Sequence, residues 1–218
     1  MKRVAVILSG CGVFDGAEIH ESVLVLLALD RANARVVCAA PDVAQHHVVN
    51  HLTQQPVPGE RRNVLVESAR IARGKILPVS QLRLADVDAI ILPGGFGAAK
   101  NLCTFALAGP DFAVNAEVAQ VLQQAHQQGK PLGFACIAPA VAAKLFGAEH
   151  LEFTIGNDAG TAQALQQDGA RHVNCTVHNV VVDRRLKIVT TPAYMLAGRI
   201  TEAEAGINKL VQAVLEMA

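Results

Sequence analysis

The sequence predicts an α/β protein built on a doubly wound, mostly parallel sheet with helices on both faces. Three observations carry this. Short apolar runs alternate with longer amphipathic stretches, the runs lack the in-out alternation of a half-exposed strand, and turns rich in glycine or proline follow them.

Taken in order, Arg3 to Leu8 reads as a strand, Ser9 to Gly16 as a glycine-rich loop, and Glu18 to Arg31 as an apolar-periodic helix. Arg35 to Ala40 is a second strand and Val64 to Ile71 a helix. Ala89 to Leu92 is a buried strand ending in Pro93-Gly94-Gly95. Asp111 to Gln128 reads as a helix stopped by Gly129, Pro131 to Phe134 as a strand, and Ile137 to Phe146 as a helix stopped by Gly147. Val177 to Val182 and Lys187 to Thr190 form a late β-hairpin around Asp183-Arg184, and a helix over Arg199 to Glu216 closes the chain. The polar segment Val43 to Arg62 interrupts the cycle and is expected as a surface insertion, a lid or a dimer contact. Its His46, His47 and His51 lack a cysteine or carboxylate cluster at ligand spacing and are expected to be solvated.

Length and composition suit one domain over residues 1–218: no linker or compositional break divides the chain. With no net charge, no basic block, no Trp and one Tyr, a nucleic-acid partner is excluded. No run approaches the roughly 20 apolar residues of a membrane span, so no membrane role is expected. Lys2-Arg3, the apolar Val4 to Leu8 and Cys11 imitate a lipoprotein signal, but the run is too short for one and its removal would delete the first strand. Five cysteines, scattered and without a C-x-x-C pair, point to a reduced, cytoplasmic protein.

In a doubly wound sheet, ligands bind beyond the carboxyl ends of the strands. The loops there are Ser9 to Gly16, Pro93 to Lys100 and Ala135 to Pro139. In the last, Cys136 stands where a buried strand turns into a helix, the position of a nucleophile elbow. Amides and the positive dipole end of the new helix are expected to depress its pKa and raise its reactivity. The alternative is a small buried hydrophobe, which most free cysteines are. The amides of Gly95 and Ile137 would flank the sulfur and form an oxyanion hole. Glu18 and Glu21, three apart at the start of the first helix, offer a carboxyl with a raised pKa that could hold or shuttle a proton. Both also suit the helix dipole without any further role. Two glycine patterns mislead: Gly10, Gly12 and Gly16 sit beside acids that would repel a pyrophosphate, and Gly94 to Lys100 lacks the ending of a P-loop.

Gly16-Ala-Glu-Ile-His-Glu21, Leu92-Pro-Gly-Gly-Phe-Gly-Ala-Ala-Lys-Asn-Leu102 and Phe134-Ala-Cys-Ile-Ala-Pro139 together resemble the ThiJ/PfpI superfamily within the class I glutamine amidotransferase-like fold. Within it they are most similar to the ElbB-type glyoxalases. The resemblance runs from Lys2 through Thr190-Thr-Pro-Ala-Tyr-Met195 to the last helix. It implies a flavodoxin-like fold, a homodimer, and an elbow cysteine paired with a carboxylic acid that matches Glu21, with Glu18 as second choice. The implied activity is a glutathione-independent hydration of a 2-oxoaldehyde, of the lyase class. It takes glyoxal, and by extension methylglyoxal, to a 2-hydroxy acid through a hemithioacetal on Cys136, with no metal or organic cofactor. The chain departs from the wider superfamily in lacking a histidine in Phe153 to Asn157 and a late His-x-Glu, where Thr191-Pro-Ala-Tyr194 stands, so a Cys-His-Glu triad for glutamine hydrolysis is not evident. Two competing readings are a redox or stress sensor in which Cys136 is oxidised to a sulfinic acid, and an amidase or subunit-dependent amidotransferase, with a link to isoprenoid synthesis in members of this type.

Overall fold

The computed structural model describes residues 1–218. Seven strands form the main sheet: β1 (Arg3–Ile7), β2 (Arg35–Ala40), β3 (Ile76–Pro78), β4 (Ala89–Leu92), β5 (Leu132–Ala135), β6 (Val181–Asp183) and β7 (Ile188–Thr191). Their order is β6-β7-β5-β4-β1-β2-β3, with every pair parallel except β6 and β7. The chain winds outward from β1 through β2 to β3, then returns to the other side of β1 as β4. That reversal opens the crevice in which such sheets bind ligands.

Strand residues alternate between two cores. Ala5, Ile7, Ile90, Leu92, Leu132 and Phe134 face the layer of α3 (Ala116–Gln127) and α4 (Pro139–Phe146). Val4, Val6, Ala89 and Ile91 face α1 (Ile19–Arg31) and the closing helix α6 (Ile200–Met217), with Val64 of α2 (Val64–Ile71) on the same side. Both faces being covered, neither shows a polar period, which is why the strands read as continuous apolar runs. No helix is long and apolar enough to cross a membrane.

The observed elements depart from the sequence reading in four places. Residues 112–114 are extended, held by a bridge between Cys103 and Val114. Asn115 then caps α3, its side chain accepting from the amides of Glu117 and Val118, so that helix starts five residues later than expected. α4 begins at Pro139 rather than Ile137, because the elbow itself occupies 136–138. The hairpin arms are shorter and shifted, at Val181–Asp183 and Ile188–Thr191. Finally, β3 is a three-residue edge strand, and the strand pair Glu152–Phe153 and Arg171–His172 and the helix α5 (Ala159–Leu165) are each too short to leave a period in the sequence.

The Val43 to Arg62 segment carries a small hairpin pairing Val49–Asn50 with Gln55–Pro56. It packs on the glycine-rich loop: buried Asp15 accepts from the Val49 amide (2.7 Å), and His51 Nε2 accepts from the Phe14 amide (3.3 Å). The expectation of solvated histidines holds for His46 and for His51, which is exposed while it also fastens one loop to another, and is corrected for His47, which is half-buried.

Candidate functional site

Cys136 follows β5 directly and has φ +61°, the left-handed region that a side chain makes unfavourable. Its amide donates to the carbonyl of Thr191 at the end of β7 (2.9 Å), which holds the turn against the neighbouring strand. This is the strained strand-to-helix elbow expected of a presented nucleophile. Cys136 is 8% exposed, and the backbone amides of Gly95 and Ile137 act to favour its thiolate. Both residues expected to flank the sulfur line the same cavity as Cys136.

Glu21, in the first turn of α1, is fully buried and lies beside the Cys136 side chain, near enough that a Cβ added at Gly94 would press on both. Two amides fix its carboxyl, Gly94 N–H to Oε2 at 2.9 Å and Tyr194 N–H to Oε1 at 3.1 Å. Glu18 caps the same helix instead, its Oε2 accepting from the Glu21 amide at 2.6 Å, and forms part of the wall of the adjoining cavity. Both acids reach the site, but only Glu21 meets the sulfur.

Two glycines make this meeting sterically feasible. A Cβ on Gly94 would lie 2.4 Å from the Cys136 Cβ and 2.7 Å from Glu21 Oε2. Gly95 has φ +93°, and a Cβ there would come within 2.4 Å of the Glu18 amide nitrogen. Loop-to-loop bonds, Glu18 N–H to Gly94 O (2.9 Å) and Phe96 N–H to Val13 O (2.8 Å), clamp the segments after β1 and β4 together.

Electrostatically the pair behaves differently from the sequence expectation. Burial, then the Glu21 charge, pushes the Cys136 thiol well above its ordinary range, more than the Gly95 and Ile137 amides pull it down. The depressed thiol pKa expected from the helix terminus is therefore corrected: a sealed carboxylate beside the sulfur outweighs the dipole. Burial likewise raises Glu21 to about 7, opposed by the Tyr194 amide and assisted by Glu18. The resting pair is a thiol beside a carboxyl group that is half-ionised near neutral pH, an acid and a base side by side.

A cavity of about 410 Å³ opens over Cys136, walled by Val13, Glu18, Phe96, Phe105, Ile137 and Tyr194 among others. Tyr194 is the only tyrosine in the chain and escaped the sequence reading as a site residue, although it stands in the Thr190 to Met195 stretch just past β7. Its hydroxyl bonds His20 Nδ1 (2.8 Å), and Ala193 before it has φ +43°, a second strained residue beside the elbow. Cys11 is half-buried with its thiol raised by burial, and all five cysteines are unpaired. No group of three or more His, Cys, Asp or Glu side chains is gathered at metal-binding distance.

The doubly wound sheet, the elbow cysteine and the carboxyl from the first helix together define a glutamine amidotransferase-like α/β protein, with a fold that structures of the DJ-1 and ThiJ/PfpI type share. No family profile matches the chain. It is 50% identical, over 99% of its length and 83% of the relative's, to the human glutamine amidotransferase-like class 1 domain-containing protein 3, mitochondrial. It is 49% identical, over 99% of its length and 84% of the relative's, to the mitochondrial ES1 protein homolog of Rattus norvegicus. The chain belongs to the glutamine amidotransferase-like class 1 family that these proteins represent. Among solved structures, an isoprenoid biosynthesis protein with amidotransferase-like domain from Ehrlichia chaffeensis matches with TM-score 0.92 and 37% identity, covering 100% of this chain and 99% of that one. Drosophila melanogaster DJ-1beta shares the fold at TM-score 0.56 and 19% identity, over 100% of this chain and 95% of that one.

These relatives overturn the cytoplasmic location expected from the cysteines, since both are named as mitochondrial proteins. The physical reason is plain: unpaired cysteines report a reducing compartment, and that property does not single out the cytoplasm.

Proposed function

We propose that the chain is a glutathione-independent glyoxalase acting through Cys136 and Glu21. The reading rests on one observation, a fully buried carboxyl, raised to about 7, set beside the elbow thiol across the gap at Gly94. Glu21 as carboxylate takes the thiol proton while sulfur attacks the aldehyde carbon. The C–S bond forms, the carbonyl π pair moves to oxygen, and the Gly95 and Ile137 amides turn from the sulfur to the developing oxyanion. Protonated Glu21 gives that oxygen its proton, completing a hemithioacetal. Glu21 next removes the hydrogen on the former aldehyde carbon while the hydroxyl there passes its proton to the neighbouring carbonyl oxygen, which yields an enediolate. Protonated Glu21 returns the proton to the neighbouring carbon as the C–O⁻ closes to C=O, leaving a thioester of the 2-hydroxy acid. Water adds to the thioester, the C–S bond breaks and the thiol regains its proton, so the sum is 2-oxoaldehyde plus water to 2-hydroxy acid, with no external oxidant or reductant. Two neighbouring facts support this reading over oxidation sensing or amide hydrolysis. The raised thiol pKa lowers the thiolate fraction on which peroxide sensitivity depends, and no histidine stands beside the sulfur. Glycolate formation from glyoxal is expected to vanish in Cys136→Ala with the circular dichroism spectrum intact; glycolate made by that variant at the native rate would refute the reading.

The homodimer belongs to the same proposal. Ile19, Val23 and Leu27, four apart along α1, are 43%, 49% and 38% exposed and form an apolar stripe of the kind that subunit contacts cover. Sedimentation equilibrium gives the test: a monomer at micromolar concentration rejects it.

A further inference from the structure

Resting on the glyoxalase reading, we infer that the substrate is an uncharged carbonyl compound carrying a bulky apolar group, aromatic or branched aliphatic, rather than glyoxal itself. The cavity over Cys136 measures about 410 Å³. Glyoxal fills roughly the space of two waters, about 60 Å³ at ~30 Å³ each. The remaining volume lies in the size class of sites that enclose much larger ligands, about 300–1,000 Å³.

The walls determine what fills that volume. Nine of the twelve lining residues are hydrophobic. Phe105 forms one wall from a one-turn helix (Phe105–Ala108) and packs edge-on against Phe112, with ring centroids 5.2 Å apart and planes at 72°. Phe112 is itself 3% exposed, so this aromatic wall is braced from behind and presents a fixed face. Phe96, in the loop after β4, is 46% exposed even with the Lys100 ammonium over its ring, and so offers a partly open aromatic surface to a ligand. Met195 adds a polarisable, adaptable side chain.

Charge points the same way. Neither lysine nor arginine lines the cavity, and its one carboxylic acid is Glu18. Lys100, next to Ala99 of the wall, stands 5.1 Å over the Phe96 ring but is not itself a lining residue, and its ammonium is engaged by the Phe14 carbonyl at 3.0 Å. A substrate bearing a carboxylate or phosphate would enter beside Glu18 with no cation among the lining residues to receive it. Glutamine is disfavoured for the same reason. An apolar group, by contrast, displaces water from Phe96, Phe105 and Met195 while its carbonyl carbon reaches the sulfur at the cavity floor.

Two measurements on the full chain test the inference. In the first, kcat/KM is compared for cyclohexylglyoxal and glyoxal in the native protein and in Ala106→Phe, which narrows the cavity from an exposed lining position. A preference for cyclohexylglyoxal of about tenfold or more, lost in the variant, is expected. Glyoxal favoured in the native protein, or an unchanged ratio in the variant, overturns the inference. The second measurement separates it from the glyoxalase reading. Alkylation of Cys136 by N-benzyliodoacetamide and by iodoacetamide is followed by mass spectrometry, each rate divided by that of a free thiol. A normalised ratio of about ten in favour of the benzyl reagent is expected, and a ratio of one or less overturns the apolar selectivity. No turnover of either 2-oxoaldehyde, with the alkylation ratio still near ten, refutes the glyoxalase chemistry and supports the apolar cavity.

Discussion

The Glu21 carboxyl and the Cys136 thiol meet across the gap that Gly94 leaves, the carboxyl fully buried and the thiol opening on the cavity, and the two groups compete for one proton. Because Glu21 is raised to about 7 while the thiol is held well above its ordinary range, the carboxylate is the form that can accept the proton as sulfur attacks. The rate with a 2-oxoaldehyde should therefore rise with pH through about 7 and then level off. Glu21→Gln removes the acceptor, and kcat/KM should fall by about 10²–10⁴-fold and lose that inflection. A pH–rate profile of native and variant proteins checks both. An inflection that persists near 7 in Glu21→Gln would assign it to another group.

The same shift makes a statement about stability. Glu21 carries its proton more tightly folded, at about 7, than at its ordinary 4.5. The stability linked to that proton is complete below 4.5 and is lost as pH rises to about 7, beyond which its contribution is flat. At about 1.4 kcal/mol per pKa unit the decline amounts to roughly 3 kcal/mol. Urea unfolding of the native protein at a series of pH values should show this fall, and Glu21→Gln should lack it. The variant should also carry a constant loss of about 1–3 kcal/mol, since one amide oxygen cannot accept from both the Gly94 and Tyr194 N–H groups. Parallel curves for the two proteins would mean that Glu21 keeps its ordinary pKa.

Gly94 does not have a positive φ, so a side chain there is excluded by space alone. In Gly94→Ala the new methyl meets the Cys136 Cβ, the Ala135 carbonyl and Glu21 Oε2, and the last, though a side-chain terminus, is buried in a carboxyl that two amides hold. A loss of about 1–3 kcal/mol in unfolding free energy is expected, along with most of the activity, because relief of the clash moves sulfur and carboxyl apart. A variant of native stability and rate would show that the loop shifts freely and that this contact positions nothing.

The strands from Arg35 to Ala40 and Ala89 to Leu92, and the helix Val64 to Ile71, were legible to the residue, because a buried parallel strand and an amphipathic helix each write a period or a run long enough to read. The start of α3 was not, since Phe112 to Val114 is apolar enough to extend the helical pattern while a tertiary bridge pulls it straight. At the site, Cys136, Glu21, Gly95 and Ile137 could be placed in sequence because each sits at the end or beginning of a recognisable element. Spacing alone did not separate Glu21 from Glu18 as the partner of the thiol, and only the family resemblance put Glu21 first: Glu18 turns its carboxyl back to cap α1, a matter of rotamer and not of spacing. The thiol pKa was misjudged for a related reason. A helix terminus is a local feature, whereas the burial and the carboxyl that outweigh it come from packing. Tyr194 was hidden because its role lies in the backbone amide that it offers to Glu21, which any residue type could supply.

Strain at the elbow is the remaining claim that can be measured. At φ +61° an alanine in place of Cys136 keeps the unfavourable left-handed conformation, while a glycine does not. The conformation costs an L-residue about 1–2 kcal/mol, and the greater freedom of glycine in the unfolded chain offsets about 0.5–1 kcal/mol of the relief. Cys136→Gly should therefore unfold with roughly 0.5–1 kcal/mol more free energy than Cys136→Ala, the reverse of the order expected inside a strand or helix. Both variants lack the sulfur, so the comparison is independent of any reaction. Chemical denaturation of the pair at one pH decides the matter: an alanine variant equal to or more stable than the glycine variant would show that the chain turns from β5 into α4 without strain and that the thiol is presented by packing alone.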